Sequence, residues 1–475
     1  MRKKHSVVFS LSFCLLGGFL LFSLAGCEKA TYPPEKVESA IKEICKNEYK
    51  IEDVEVKFSG KTIGVFLPLK KLFTTDVRQE ILSGNVANLD ALFEPEPAAM
   101  EQLENVLFTI SRVLLSSDKE IDFYVLQATD VESTGLQLVL MGYVPDVRRV
   151  RLWDISRNEY RKRVLHELKF NRAALWEKPV RGLLKDAAKL GIDEIGKLYF
   201  SIPPTPETVS PLFYDFLTNL KNKHNIKVEI SGIKSRPYHD SQALVYAKIS
   251  EMQDQKLPSI APSTVGLIGQ SLEYIFIAEP SDRQFKIAQV IPFYYLDEAK
   301  KLQKIQLPPE LDLARNLKSW PERFSVEEIT LGEFLVRQMN RRIQALLLAD
   351  ERVHHTIRHA QINFAYRHTS TQGEGGPNDN KPHFVLYFDL VTKGMNQPSQ
   401  TMDQLISDED VLYLFELILR EFVQVVRSYQ FTDFSHLELI WQQGTPPAVL
   451  KLDSDRLNLF REKKLNISTL LGISF

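Results

Sequence analysis

Apolar residues recur along this chain first at helical and then at extended spacing, and the alternation returns several times. Val37, Ala40, Ile41, Ile44 and Cys45 fall on one face of a helix opened by Pro33-Pro34, prolines being favoured in a first turn. Val54-Glu55-Val56-Lys57-Phe58 then alternates strictly, Ser59-Gly60-Lys61 turns the chain, and Ile63, Val65 and Leu67 bring it back. The unit predicted is helix, strand, turn, strand.

A second copy follows Pro95-Glu96-Pro97. Met100, Leu103, Leu107, Ile110 and Leu114 make its helical stripe, Ile121 to Val125 its first strand and Leu136 to Val144 its return, with a charged helix predicted from Ser156 to Phe170. The third copy starts at Ser210-Pro211, with Phe213, Phe216, Leu217 and Leu220 before the strands Ile226–Ile230 and Leu244–Ile249. A further hairpin, Leu272–Ala278 with Phe285–Phe293, lacks a helix before it and reads as an incomplete copy. Thr330 with Glu333 and Ser407 with Asp410 have the spacing of capping boxes and open the fourth and fifth helices. Their hairpins are Ile362–Tyr366 with Phe384–Phe388, and Leu437–Trp441 with Val449–Leu452.

A lone hairpin is marginal in water, so each needs its helix as cover. The fold class expected is α+β, a multi-domain chain of repeated two-layer helix-strand-strand modules with antiparallel hairpins. Breakers at Pro203-Pro204-Thr205-Pro206 and at Pro308, Pro309 and Pro321 set the partition. It gives a first module over 35–97, a second with its basic helix over 98–178, a third with the extra hairpin over 205–303, a linker over 304–329 and a final pair over 330–475. Gly373 to Asn380 reads as an exposed loop.

Ahead of these modules, Arg2, Lys3 and Lys4 precede an almost uncharged run from Val7 to Gly26, the layout of a secretory signal. The run closes on Leu24-Ala25-Gly26-Cys27, which resembles the lipobox of bacterial lipoproteins. The resemblance covers only this leader. It implies cleavage of 1–26, a diacylglycerol thioether and an acylated amine (commonly palmitate) on Cys27, and a short tether over 27–34. Glu28 is not the Asp that retains enteric lipoproteins in the inner membrane, so the resemblance implies the outer membrane, facing the periplasm, in a two-membrane cell. About twenty apolar residues can also span a bilayer, but the small pair Ala25-Gly26 directly before a Cys favours cleavage.

Composition adds little chemistry. Loss of Arg2, Lys3 and Lys4 with the leader takes the formal charge from −2 to −5, which argues against nucleic acid as a partner. Of three cysteines, Cys14 leaves with the leader, Cys27 is committed to lipid and Cys45 sits on an apolar helix face as a small buried residue, so no disulfide is expected. Ser59-Gly60-Lys61-Thr62 echoes a phosphate loop, but Glu55 stands where its first Gly belongs and no helix follows. Gly-x-Ser-x-Gly, His-Glu-x-x-His and Cys-x-x-Cys are all missing, and no cofactor is expected.

Two clusters remain. His354, His355, His359, His368 and His383 fall close together, and His355 and His359 would share one face of a helix, as divalent metal sites often require. A basic stretch carries Arg148, Arg149 and Arg151, followed by Arg157, Arg161, Lys162 and Arg163. It suits anionic lipid, cell-wall polymer or an acidic partner, or else it is the solvated face of a helix packed through Tyr160, Val164 and Leu168. Trp153, Trp176, Trp320 and Trp441 read as core or rim aromatics. The sequence thus points to a membrane-anchored envelope lipoprotein, a non-catalytic binding, scaffold or assembly module. Its partners would be membrane lipid through Cys27 and envelope proteins or cell-wall polymer. A cell-wall or glycan hydrolase using unassigned carboxylates and a metal- or pH-responsive sensor through the histidines are the alternatives.

Overall fold

The computed structural model describes residues 31–74, 94–132, 134–220, 226–239, 241–253, 271–281, 284–297, 301–309, 311, 323–367, 381–393, 401–442 and 447–472. The leader, Cys27, Trp320, His368 and the Gly373 to Asn380 loop lie outside them. The chain divides into two units, Met1–Glu327 and Glu328–Phe475. Among the described residues no helix is long and apolar enough to cross a membrane.

In the first unit, α1 (Val37–Tyr49) buries its predicted stripe and ends on Lys50 in the left-handed region. The hairpin β1 (Glu55–Ser59) and β2 (Thr62–Leu69) follows. After α2 (Pro97–Leu115) come β3 (Phe123–Asp130) and β4 (Leu136–Tyr143). The two modules share one sheet of order β1-β2-β3-β4-β5, its β2–β3 pair parallel because α2 crosses between them. Val37, Ile41, Leu103, Val106 and Ile110 from the helices pack on Val65, Leu67 and Leu126 from the strands.

The charged stretch differs from its prediction. It forms two short helices, α3 (Val144–Arg151) and α4 (Arg157–Arg163), and then β5 (Leu165–Phe170), which pairs with β4 as the sheet's edge. Only seven residues of the expected long helix are helical. Val164, buried beside the sheet, leaves the helix in extended conformation, and Leu165 pairs across to Met141.

The same unit holds a second layer pair. The helix α5 (Arg172–Asp186), in a stretch for which no element is expected past the basic one, runs through Pro179, and α6 (Ile192–Tyr199) follows. After α7 (Pro211–Leu220), β6 (Ile226–Tyr238), β7 (Gln242–Gln253), β8 (Ser271–Ser281) and β9 (Gln284–Pro292) form one antiparallel sheet in sequence order. The extra hairpin is therefore the second half of a meander rather than an incomplete copy, with Ala243 opposite Ala278 at the seam. Val180, Leu183, Phe213 and Leu217 pack on Val245 and Phe276. A small hairpin, β10 (Tyr294–Leu296) with β11 (Leu302–Lys304), follows.

The second unit opens with α8 (Leu331–Ala349), capped by Thr330 and Glu333 as the sequence predicts: the Glu333 amide donates to Thr330 Oγ1 at 3.3 Å, and the Thr330 amide to Glu333 Oε2 at 2.9 Å. A short helix, α9 (Glu351–Thr356), leads into β12 (Ile357–Arg367) and β13 (His383–Thr392). Then α10 (Glu409–Ser428) begins one residue later than the Ser407 cap implies, because the Asp408 carboxylate, a better acceptor at a helix start, takes the amides of Asp410 and Val411. Ser407 Oγ instead donates back to the Gln404 carbonyl at 2.8 Å. β14 (His436–Trp441) and β15 (Ala448–Asp453) complete a sheet of order β12-β13-β14-β15, again with a parallel central pair. Phe422 from α10 stacks on Phe364 at 5.7 Å, and Phe415 meets Phe388 edge-on at 5.0 Å.

Each unit thus runs helix, hairpin, helix, hairpin, and then adds a pair of short helices. In the second unit these are α11 (Ser454–Arg461) and α12 (Ile467–Leu471). The match extends to single hydrogen bonds. Leu152, Trp153 and Asp154 donate to Arg148, Val150 and Arg149 carbonyls; Glu462, Lys463 and Lys464 donate to Asn458, Phe460 and Leu459. Ser156 and Asn466 then cap the second helix of each pair.

Candidate functional site

The α3–α4 helix pair is the most unusual surface of the first unit. Between the two helices the chain turns through Trp153, whose φ of 65° is left-handed, a conformation that costs a residue with a Cβ about 1 kcal/mol. The turn projects two large apolar side chains into solvent, Leu152 at 71% exposure and Trp153 at 83%. Around them Arg148, Arg151, Arg157, Arg161 and Lys162 are exposed and make no ion pair among the described residues. The free acid nearest in sequence is Asp154; Asp146 and Glu159 are committed elsewhere.

Those two acids hold the pair's root. Arg163 is buried: its Nη1 donates to Asp146 Oδ1 at 3.0 Å and its Nε to Glu159 Oε1 at 2.9 Å, while Arg149 Nη1 reaches the same Asp146 oxygen at 3.2 Å. Burial pushes the Asp146 carboxyl up from its ordinary value, and the Arg163 and Arg149 charges oppose that shift. Tyr160 reaches inward to the Tyr124 hydroxyl at 2.7 Å, and burial raises both phenols. Of the basic candidates, Arg148 and Arg151 are therefore free on the surface, while Arg149 and Arg163 serve the structure.

The position of this helix pair relative to the start of the described chain is the second observation. The connection 116–122 between α2 and β3 carries both. The Tyr32 amide donates to the Ser116 carbonyl at 3.1 Å and Tyr32 bridges Ser117, while the Val144 amide donates to the Asp122 carbonyl at 2.8 Å. Tyr32, inside the 27–34 segment, is thus held against the first unit. Thr31 lies four positions past Cys27, about 14 Å of extended chain at most.

The histidine cluster is divided. His354 and His355 lie on α9, which ends at Thr356, and His359 lies on β12 opposite Val391, so His355 and His359 are not one turn apart on a helix; both are exposed. His354 Nε2 lies 2.9 Å from the Leu348 carbonyl. His383, at the start of β13, is instead brought to His436 and Glu438 of β14, a grouping that sequence spacing hides; the usable signal was His436 and Glu438 at the period of a strand face.

A cleft of ≈ 1050 Å³ opens between the two layer pairs of the first unit. Its acids are largely paired: Glu52 and Asp53 with Lys185, Glu132 with Lys178, and Glu55 with Arg181 and Arg323. Beside it Glu177, fully buried, accepts from Ser235 Oγ at 3.1 Å and from Arg181 Nη2 at 3.2 Å. Burial raises the Glu177 carboxyl, Arg181 and Arg323 oppose it, and burial lowers Arg323. This network joins β1, α5, β6 and the 323 segment. Trp176 and Trp441 are core residues, whereas Trp153 is not. No known protein family, curated protein or solved structure matches this chain.

Proposed function

We propose that this chain is a bacterial envelope lipoprotein, joined to the membrane through acylated Cys27, whose α+β body is a non-catalytic binding or assembly module facing the periplasm at the outer membrane. The observation that carries the reading is the shared end of the first sheet. Tyr32, just past the lipobox, and the root of the basic, tryptophan-tipped helix pair are both fixed to the connection 116–122. A lipid on Cys27 would hold that end within a few residues of the bilayer. Five unpaired cations and an exposed Trp-Leu tip are what an anionic headgroup layer accepts, at about 1 kcal/mol per charge. Assembly rather than hydrolysis is supported by the edge strand β5, which leaves Leu168 and Phe170 exposed, and by a cleft whose acids are mostly committed to cations.

Mass analysis of the amino-terminal peptide tests the anchor. The expected product begins at Cys27 and carries a diacylglycerol and an amide-linked acyl chain, and Cys27→Ser leaves the leader uncleaved and unmodified. A wild-type chain that keeps residues 1–26 would overturn the lipoprotein reading.

A further inference from the structure

Three potential ligands converge at one end of the second unit's sheet. In the parallel register of β13 and β14, Phe384 faces Leu437, which sets His383 beside His436 one position earlier. Their imidazole rings stack at 4.8 Å with 4° between planes. Glu438, two residues beyond His436 on the same strand face, lies between them: its Oε1 is 3.2 Å from His436 Nε2 and its Oε2 is 3.8 Å from His383 Nε2. One donor atom from each of the three residues lies within 4.8 Å of the other two.

From this arrangement we propose that His383, His436 and Glu438 form a binding site for a divalent late first-row cation of the zinc class. Two imidazoles and one carboxylate are a ligand set that zinc takes with a fourth position left to water. Donors about 2 Å from a tetrahedral ion stand roughly 3.3 Å apart, so ligand atoms that lie within 4.8 Å of one another must close in by up to about 1.5 Å, and the parallel imidazole rings must tilt toward the ion. The outer contact of His436 also suits ligation: Ser435 Oγ lies 2.8 Å from its Nδ1 and holds that ring from its far side, while His383 Nδ1 is buried with no hydrogen-bond partner among the described residues.

A cationic group already sits at the site. Lys451, opposite Glu438 on β15, places Nζ 3.1 Å from Oε1, the oxygen that also faces His436. Its side chain is more than half exposed, so it can swing into solvent when a metal ion takes its place. The geometry further predicts that Lys451 weakens the site.

Titration of the mature full-length chain with Zn²⁺ against a chelating dye tests this, with Co²⁺ as the spectroscopic probe. One equivalent is expected to bind, with visible Co²⁺ absorption of a four-coordinate nitrogen and oxygen site. Glu438→Gln and His436→Ala should each weaken binding at least tenfold, Lys451→Ala should strengthen it, and the double variant His355→Ala/His359→Ala should leave it unchanged. Glu438→Gln is nearly isosteric, and its circular dichroism and melting curve report whether the sheet is intact. Failure of the folded wild type to bind one equivalent would overturn the proposal. So would binding that survives Glu438→Gln and His436→Ala but disappears with the His355 and His359 variant.

Discussion

Trp153 and Lys463 hold the same backbone position in the two units, each in the left-handed region, at φ 65° and 58°, on the ninth residue after the first of an equivalent helix. The turn demands that conformation, and it does not demand tryptophan. A lysine is the ordinary occupant of such an exposed site, so a tryptophan left out of the core is a departure that folding does not explain.

Replacing Trp153 with Gly should separate the two roles. Glycine adopts left-handed φ without a Cβ penalty, so Trp153→Gly should raise stability by about 0.5–1 kcal/mol in a denaturant melt. The same variant should bind vesicles containing phosphatidylglycerol less well than the wild type. A loss of stability would mean that the indole packs against the body.

The basic residues should divide by burial. Arg148→Ala and Arg151→Ala should leave the melting temperature unchanged, and each should weaken association with anionic vesicles by about 1 kcal/mol at low salt. Arg163→Ala should instead destabilise the fold by roughly 3–5 kcal/mol, since it removes the buried partner of Asp146 and leaves that carboxylate to the half-buried Arg149 alone. Melting curves and vesicle sedimentation on the three variants check the contrast.

Glu177 gives the first unit a pH dependence of definite sign. Burial raises its carboxyl, so the native state holds that proton more tightly than the unfolded chain does. Stability from this group is therefore highest in acid, falls as pH rises from the ordinary carboxylate value to the raised one, and is level above it. Comparing wild type with Glu177→Gln across that window should show the slope vanish in the variant, while Glu177→Ala costs roughly 3–5 kcal/mol by removing the buried partner of Arg181 and the acceptor of Ser235, leaving Glu55 alone to Arg181 and Arg323.

Cys45 is fully buried, and burial raises its thiol, partly offset by the Thr109 hydroxyl. In a Cys27→Ser background lacking residues 1–26, iodoacetamide should label no cysteine in the native protein and one after unfolding. Native labelling at the rate of a free thiol would place Cys45 on the surface.

Much of the fold was legible because short-range periodicity decided it. The α1 stripe, the β1 alternation and the Thr330 and Glu333 cap all depend on residues within a few positions of one another. The region after Ser156 was less legible, since its charges fit helix and edge strand alike and only pairing of Leu165 with Met141 selects β5. No expected element covers α5, whose helix runs through Pro179 and is held together by packing against the β6–β9 sheet. The candidate sites depended on contacts farther apart still. Nothing between His383 and His436 announces that their strands run parallel in register, and nothing near Trp153 announces that it is left outside the core.

The central claim is that the tryptophan-tipped end of the first unit rests on the membrane, and depth-dependent quenching tests it most directly. The lipidated protein would be reconstituted into phosphatidylglycerol-containing vesicles whose acyl chains carry bromine, and tryptophan emission compared with that of Trp153→Phe. With Trp320 replaced by Phe in both proteins, the prediction is strong quenching when Trp153 is present and its loss in Trp153→Phe, because Trp176 and Trp441 are buried. Equal quenching in both proteins, or none in either, would contradict it.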